Sequence, residues 1–248
     1  MKKMLATLTG IALVVSSAIV MASESSDTIK DPAEEWQHLW TEVLVDLYIL
    51  GGIFGALAIY WLFKYRAKDP DAVGDGPNLS RAQVWAWAIV PCVLFLADDL
   101  YLGASGWSAW NVYRNVPENA MEVKVTGSMW NWEFEYEDGT TSTYDVDGDE
   151  GEKGDGLVVP VGTPVALRMT STDVIHSFGL TKYRVKEDLM PGRVTYIWFY
   201  PKEEAKSWVT CTEFCGASHA RMYAPVKAIP QAKFENWLAK RAKEEAEE

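Results

Sequence analysis

Histidine and cysteine are scarce in this chain, and that scarcity restricts the chemistry open to it. Its 248 residues hold three histidines, His38, His176 and His219, and three cysteines, Cys92, Cys211 and Cys215. An odd cysteine count argues against a framework built wholly of disulfides. Any metal site must draw its nitrogen and sulfur ligands from this short list. Basic charge is also in deficit: 23 Lys and Arg stand against 35 Asp and Glu, for a formal net charge of -12. That balance argues against nucleic-acid binding, which needs a basic face. An acidic exterior attracts a basic partner over long range, more weakly as salt rises, although solubility alone also accounts for it. There is no internal repeat, and the length suits one domain with membrane segments better than two enzymes in tandem.

What is present begins with a secretory pattern. Lys2 and Lys3 precede an apolar stretch from Leu5 to Met21 that ends at Ala22, the layout of a signal peptide over residues 1–22. An uncleaved extra membrane helix is the alternative, and both put residue 24 outside. From Val43 to Phe63 the chain is apolar apart from Asp46, close to the roughly 20 residues a helix needs to cross a bilayer. A second run, Val84 to Ala97, extends through Asp98 and Asp99 to Leu102, and Lys64, Arg66, Lys68 and Arg81 lie between the two. Basic residues mark a cytoplasmic loop, so residues 43–103 are expected to form a transmembrane helical hairpin with the chain after about residue 104 outside. The location implied is a bacterial-type inner or cell membrane, crossed more than once.

Beyond Pro117 the pattern alternates. Met121, Val123 and Val125, then Trp130, Trp132, Phe134 and Tyr136, recur at spacing two, which predicts strands. Further short strands are expected at Leu157–Val159, Val165–Met169, Thr195–Tyr200 and Trp208–Cys211, separated by turns such as Val161-Gly162-Thr163-Pro164. Several short strands imply a small all-β sandwich or barrel over residues 117–230. Residues 231–248 read as a polar helix containing Phe234, Trp237 and Leu238.

The chemistry concentrates in Cys211-Thr212-Glu213-Phe214-Cys215-Gly216-Ala217-Ser218-His219-Ala220-Arg221-Met222. Two thiols, an imidazole and a thioether in one segment are soft and borderline donors, which suit copper, whereas calcium and magnesium prefer oxygen. His176 is the available second imidazole, placed at the end of a predicted strand that a sandwich could bring to this loop. A blue-copper site uses one cysteine, so the second cysteine argues against it. Zinc remains chemically open, as does a Cys211–Cys215 disulfide in an oxidising compartment. Cys92, after Pro91 in the second apolar run, is expected to be a buried thiol used in packing. His38, near Glu34 and Glu35, is expected on the solvated surface.

Cysteine, three residues, cysteine, three residues, histidine, two residues, methionine, with a distant histidine upstream, resembles the CuA signature of subunit II of the haem-copper oxidases. The resemblance extends over the hairpin, Gly127-Ser128-Met129-Trp130-Asn131-Trp132, the His176 segment and Asp188-Leu189-Met190-Pro191-Gly192-Arg193. It implies a cupredoxin-like fold and a centre of two copper ions. By position, Cys211 and Cys215 would bridge both coppers, His176 and His219 would each bind one, and Met222 and the backbone carbonyl of Glu213 would complete the set. The Glu213 side chain would face a magnesium ion shared with the catalytic subunit; the alternative is an ordinary exposed carboxylate. Trp130 would be where electrons arrive from a c-type cytochrome, against a core role beside Trp132. Glu133, Glu135, Glu137, Asp138, Asp145, Asp147, Asp149 and Glu150 could attract that cytochrome's lysines.

The function implied is acceptance of electrons from cytochrome c and their transfer to catalytic subunit I, alongside other oxidase subunits, for oxygen reduction. The haem-attachment motif Cys-x-x-Cys-His is absent, so the donor haem would belong to another protein or subunit. Two departures from the family pattern bear on this. Met129 stands where glutamine is usual, and Val84 stands where many oxidases carry a glutamate at a proton-channel mouth. The second departure opens an alternative, the CuA subunit of a nitric oxide reductase. A non-catalytic copper carrier is a third possibility, disfavoured because it would not need two membrane helices.

Overall fold

Asp31 starts the first helix earlier than the apolar run alone predicts. Its carboxylate accepts the Ala33 N–H at 2.9 Å, Pro32 supplies a pre-set first residue, and Glu34 and Glu35 complement the positive helix end. Helix α1 therefore spans Pro32–Lys64 in the computed structural model, which describes residues 29–67, 69, 71, 76, 78–146 and 153–247. The signal-peptide expectation, Lys68, Asp147, Asp149 and Glu150 lie outside the described residues. Helix α2, Arg81–Arg114, opens with a capping box between Ser80 and Gln83 and runs well past residue 104. At 33 and 34 residues, each helix is about 50 Å long, against about 30 Å of hydrocarbon. Both are long and apolar enough to cross a membrane, and their apolar windows are not buried within the protein. Cys92 is exposed on α2, which corrects the expectation of a buried thiol: among the described residues nothing covers it.

The surplus helix ends hold the β domain. Arg114 pairs with Glu187 at 2.6 Å, the Trp198 indole N–H donates to the Val112 carbonyl at 3.0 Å, and the Tyr113 hydroxyl donates to the Lys186 carbonyl. From α1, Asp31 meets Lys202 at 3.3 Å and Gln37 accepts from Arg184. The hairpin is thus tied to the domain through both of its outer ends.

Among the described residues eleven strands follow: β1 Met121–Ser128, β2 Asn131–Tyr136, β3 Thr141–Asp145, β4 Lys153–Gly154, β5 Leu157–Pro160, β6 Val165–Ser171, β7 His176–Leu180, β8 Val185–Leu189, β9 Thr195–Phe199, β10 Ala205–Cys211 and β11 Tyr223–Ile229. They form a six-stranded sheet in the order β4-β3-β2-β1-β6-β9 and a five-stranded sheet in the order β5-β11-β10-β7-β8. Trp132, Phe134, Leu167 and Ile197 from the first sheet meet Phe178, Leu189 and Val226 from the second in one buried core. Each such side chain contributes about 1.5–3 kcal/mol by leaving water. Helix α3, Gln231–Glu247, is not merely polar. Phe234 is buried, and Trp237 packs on Tyr136 while its indole N–H donates to Asp155 at 2.7 Å.

Candidate metal centre

Strand β10 ends at Cys211 beside β7, with Cys211 opposite Phe178, and β7 begins at His176. The expected strand through residues 165–169 is β6, in the other sheet. His176 therefore does not end that strand but opens the next one, after the chain crosses sheets through residues 172–175. The segment from Thr212 to Met222 closes into a loop because the Cys211 N–H donates to the Met222 carbonyl at 2.9 Å. A second tie runs from the Thr212 N–H to the Ser177 carbonyl, also 2.9 Å. A short 3-10 turn, His219–Arg221, then aims His219 back into the loop.

The donors converge. The sulfurs of Cys211 and Cys215 lie 3.6 Å apart, and both cysteines are buried and free. Cys211 Sγ faces the Glu213 carbonyl at 3.1 Å and His176 Nδ1 at 4.0 Å. Cys215 Sγ faces His219 Nδ1 at 3.6 Å and Met222 Sδ at 3.7 Å. His176, Cys211 and Cys215 form the tightest group, with ligand atoms within 4.8 Å of one another; His219 and Met222 join it through Cys215. Burial, then the neighbouring Cys211, pushes the Cys215 thiol up to about 12. A soft cation, which binds the thiolate, would displace that proton. Two buried sulfurs, two imidazole nitrogens and a thioether fit copper by donor type. The Glu213 side chain points outward and is exposed.

Asp173 completes the site and was not singled out from sequence. Its Oδ1 is 2.8 Å from His176 Nε2, so with Nε2 as the donor, Nδ1 keeps its lone pair for the thiol side. Oδ2 accepts the Met129 N–H at 2.6 Å. Burial works against the Asp173 charge, but N–H donors from Met129, His176 and Val174 outweigh it and hold the carboxyl at about 2. The signal available in the sequence was Asp173-Val174-Ile175-His176, an acid three residues ahead of a histidine.

Trp130 is not the next residue of the β2 alternation. β2 starts at Asn131, and Trp132, not Trp130, is fully buried. Trp130 lies half-buried against the loop, its indole N–H donating to the Cys215 carbonyl at 3.3 Å. Gly216, at φ +121°, allows this approach, since a Cβ there would sit 3.3 Å from the Trp130 ring. Gly127 does the same beneath His176, whose Cδ2 would be 3.2 Å from a Cβ. His38 is surface-exposed as expected and meets Glu42 at 3.4 Å. Of the described acidic residues, Glu135 is engaged by Lys124, and Glu137 and Asp138 accept backbone N–H groups.

The family described as cytochrome c oxidase subunit II, periplasmic domain, matches residues 121–229. The alternative cytochrome c oxidase subunit 2 of Bradyrhizobium diazoefficiens is 30% identical over 230 residues, covering 83% of this chain and 81% of that relative. This chain belongs to the cytochrome c oxidase subunit II family. Cytochrome c oxidase subunit 2 of Cereibacter sphaeroides is 32% identical over 211 residues, or 73% of this chain and 68% of that one. The crystal structure of the periplasmic domain of the Bradyrhizobium japonicum subunit II is 30% identical, with a TM-score of 0.48, over 52% of this chain and 99% of that chain. Members of the cytochrome c oxidase subunit II family are subunits of an oxidoreductase complex. Membership accounts for a membrane-anchored chain with a periplasmic β domain and implies a copper centre, and this chain has a buried His, Cys and Cys group able to hold a metal.

Proposed function

We propose that this chain receives electrons from a c-type cytochrome on a two-copper CuA centre and passes them to the catalytic subunit of a haem-copper oxidase, where oxygen is reduced. The observation that carries this reading is the pair of sulfurs 3.6 Å apart, each with its own imidazole. One metal would need only a single triad, whereas two would be held by Cys211 and Cys215 together with His176, the Glu213 carbonyl, His219 and Met222. A centre of this kind spreads one electron over two metals and so needs little rearrangement on reduction. The chain's own residues do the rest: Asp173 orients His176, Trp130 lies between solvent and the Cys215 carbonyl, and the closed loop excludes water from the sulfurs. The Glu213 side chain, exposed on the loop, would face a magnesium ion shared with the catalytic subunit. In this reading residues 43–103 anchor the chain in the cell membrane, residues 117–230 form the copper domain, and residues 231–248 brace it.

A second reading, the CuA subunit of a nitric oxide reductase, is favoured by Val84, an exposed apolar residue in the first turn of α2 where a proton-channel glutamate is common in oxidases. The native complex purified with this chain discriminates the two. With reduced cytochrome c as donor, fast oxygen consumption with little nitric oxide reduction supports the oxidase, and the reverse result replaces it.

A further inference from the structure

The outer ends of α1 and α2 and strand β8 enclose a cavity of about 370 Å³, at the small end of the range of about 300–1,000 Å³ in which pockets take organic groups. Trp36 from α1 and Trp110 from α2 form its aromatic wall, and Arg184 and Lys186 lie on its polar side. Arg114 stacks over the Trp110 ring at 4.5 Å and is neutralised by Glu187 at 2.6 Å. Arg184 and Lys186 differ. Both are exposed, Arg184 donates to the uncharged Gln37 amide, and no carboxylate among the described residues forms an ion pair with either. Asp188 also lines the cavity, so the charge left over is two cations against one carboxylate. In a chain of net charge -12, that is a local excess of the opposite sign.

Arg184 holds its place at a conformational cost. Its φ of +52° is the one positive value outside glycine among the described residues, and this left-handed region crowds the Cβ of any other residue. Glycine would fit the backbone better, so what arginine adds here is its guanidinium. The cavity also stands clear of lipid. Trp36 precedes Val43, where the apolar run starts, by seven residues and Trp110 follows Leu102 by eight, or about 10 and 12 Å along the helices. A headgroup layer is only about 5–8 Å deep on each side. Trp36 and Trp110 are nonetheless 37% and 44% exposed, and exposed tryptophan beside arginine is the make-up of a protein contact.

We propose that this cavity is the socket for an acidic anchor of the catalytic partner: a carboxylate side chain on that subunit's outer face reaches past the Trp36 and Trp110 rings to Arg184 and Lys186. Guanidinium and ammonium are the charge-assisted donors that a carboxylate takes, and the rings keep water from the contact. A partner lying in the membrane against the uncovered faces of α1 and α2 meets the cavity where it rises past the helix ends. A soluble donor reaching Trp130 is directed instead to the copper loop, beside the Leu189 end of β8, where Leu189 pairs with His176. That the partner is a catalytic oxidase subunit rests on the reading given under Proposed function; the charge and shape of the socket do not.

Cross-linking and dissociation of the native complex test the socket. A carbodiimide, which joins a lysine to a carboxylate already in contact with it, is expected to link Lys186 to an Asp or Glu of the membrane-embedded partner. Arg184→Gly suits the left-handed backbone and should leave the β domain folded by circular dichroism. Arg184→Gly and Lys186→Gln are each expected to raise the dissociation constant of the complex, followed by mass photometry on dilution, by about tenfold or more. Absence of the cross-link to the partner, with Lys186 joined only within this chain or to a second copy of it, overturns the proposal. So does an unchanged dissociation constant in both variants, or a phospholipid that co-purifies with the chain alone and is lost in Lys186→Gln. A complex held through Lys186 that takes no electrons from cytochrome c would overturn the reading under Proposed function and leave the socket standing.

Discussion

Asp173 holds His176 by its Nε2 at 2.8 Å, so the imidazole is turned and its tautomer fixed before a metal arrives. Orienting partners of this kind typically change metal affinity by about 10–100-fold. Asp173→Asn is therefore expected to weaken copper binding by about that factor while leaving the β domain folded, because Asp173 lies in the loop between β6 and β7 and not in the core. Competition with a copper chelator, followed alongside circular dichroism, measures both quantities. Unchanged affinity would reduce Asp173 to an anchor for the Met129 N–H.

Cys215 differs from Cys211 in its neighbours: it touches His219, Met222 and the other thiol. Replacing it with serine leaves one soft bridging atom and a hydroxyl that binds copper poorly at neutral pH. Cys215→Ser should abolish any electron state shared by two coppers. An EPR spectrum that retains hyperfine coupling to two equivalent coppers would refute the ligand assignment.

These candidate donors were legible because they sit in one local run, where spacing alone gathers Cys211, Cys215, His219 and Met222. His176 was legible as a donor but not in its place. β7, His-Ser-Phe-Gly-Leu, is buried at every position, so it lacks the alternation that marks a strand with one face in water. β11, Tyr223–Ile229, is also largely buried and was missed for the same reason. Asp173 was missed because its role is a contact between two side chains, which no periodicity records. The helices were read too short because Asp31 and Ser80 are caps, lying outside the apolar runs that the membrane selects. Trp130 was placed on the β2 face because alternation does not show where a strand begins; the break falls between Trp130 and Asn131.

That break gives Trp130 its own test. Its ring rests on the copper loop and bonds the Cys215 carbonyl, so removing it opens the path to solvent without removing a ligand. Trp130→Ala is expected to slow reduction by cytochrome c by at least an order of magnitude, about 1.4 kcal/mol or more in barrier, with copper content unchanged. Stopped-flow reduction monitored at the copper absorption reads this directly. Wild-type kinetics in the variant would leave Trp130 as a packing residue.

Asp155 gives a pH dependence away from the metal. Burial works against its charge, but Lys227 at 2.8 Å and the Trp237 indole N–H at 2.7 Å outweigh burial, and the carboxyl titrates below the ordinary aspartate range. A depressed folded-state value means the stabilisation is complete above the unfolded pKa, about 3.9, and is lost as pH falls through the folded one. Because Asp155 and Lys227 are both partly exposed, solvent screens the pair. Asp155→Asn should therefore cost only about 1 kcal/mol at neutral pH, chiefly by loosening Trp237 and the start of α3 from β5 and β11. Thermal unfolding followed from pH 7 to pH 3 checks the sign: the gap in Tm between wild type and variant should be full at pH 7 and close on acidification. A gap that stays constant, or widens, as pH falls would mean that α3 is held by Phe234 and Trp237 packing alone.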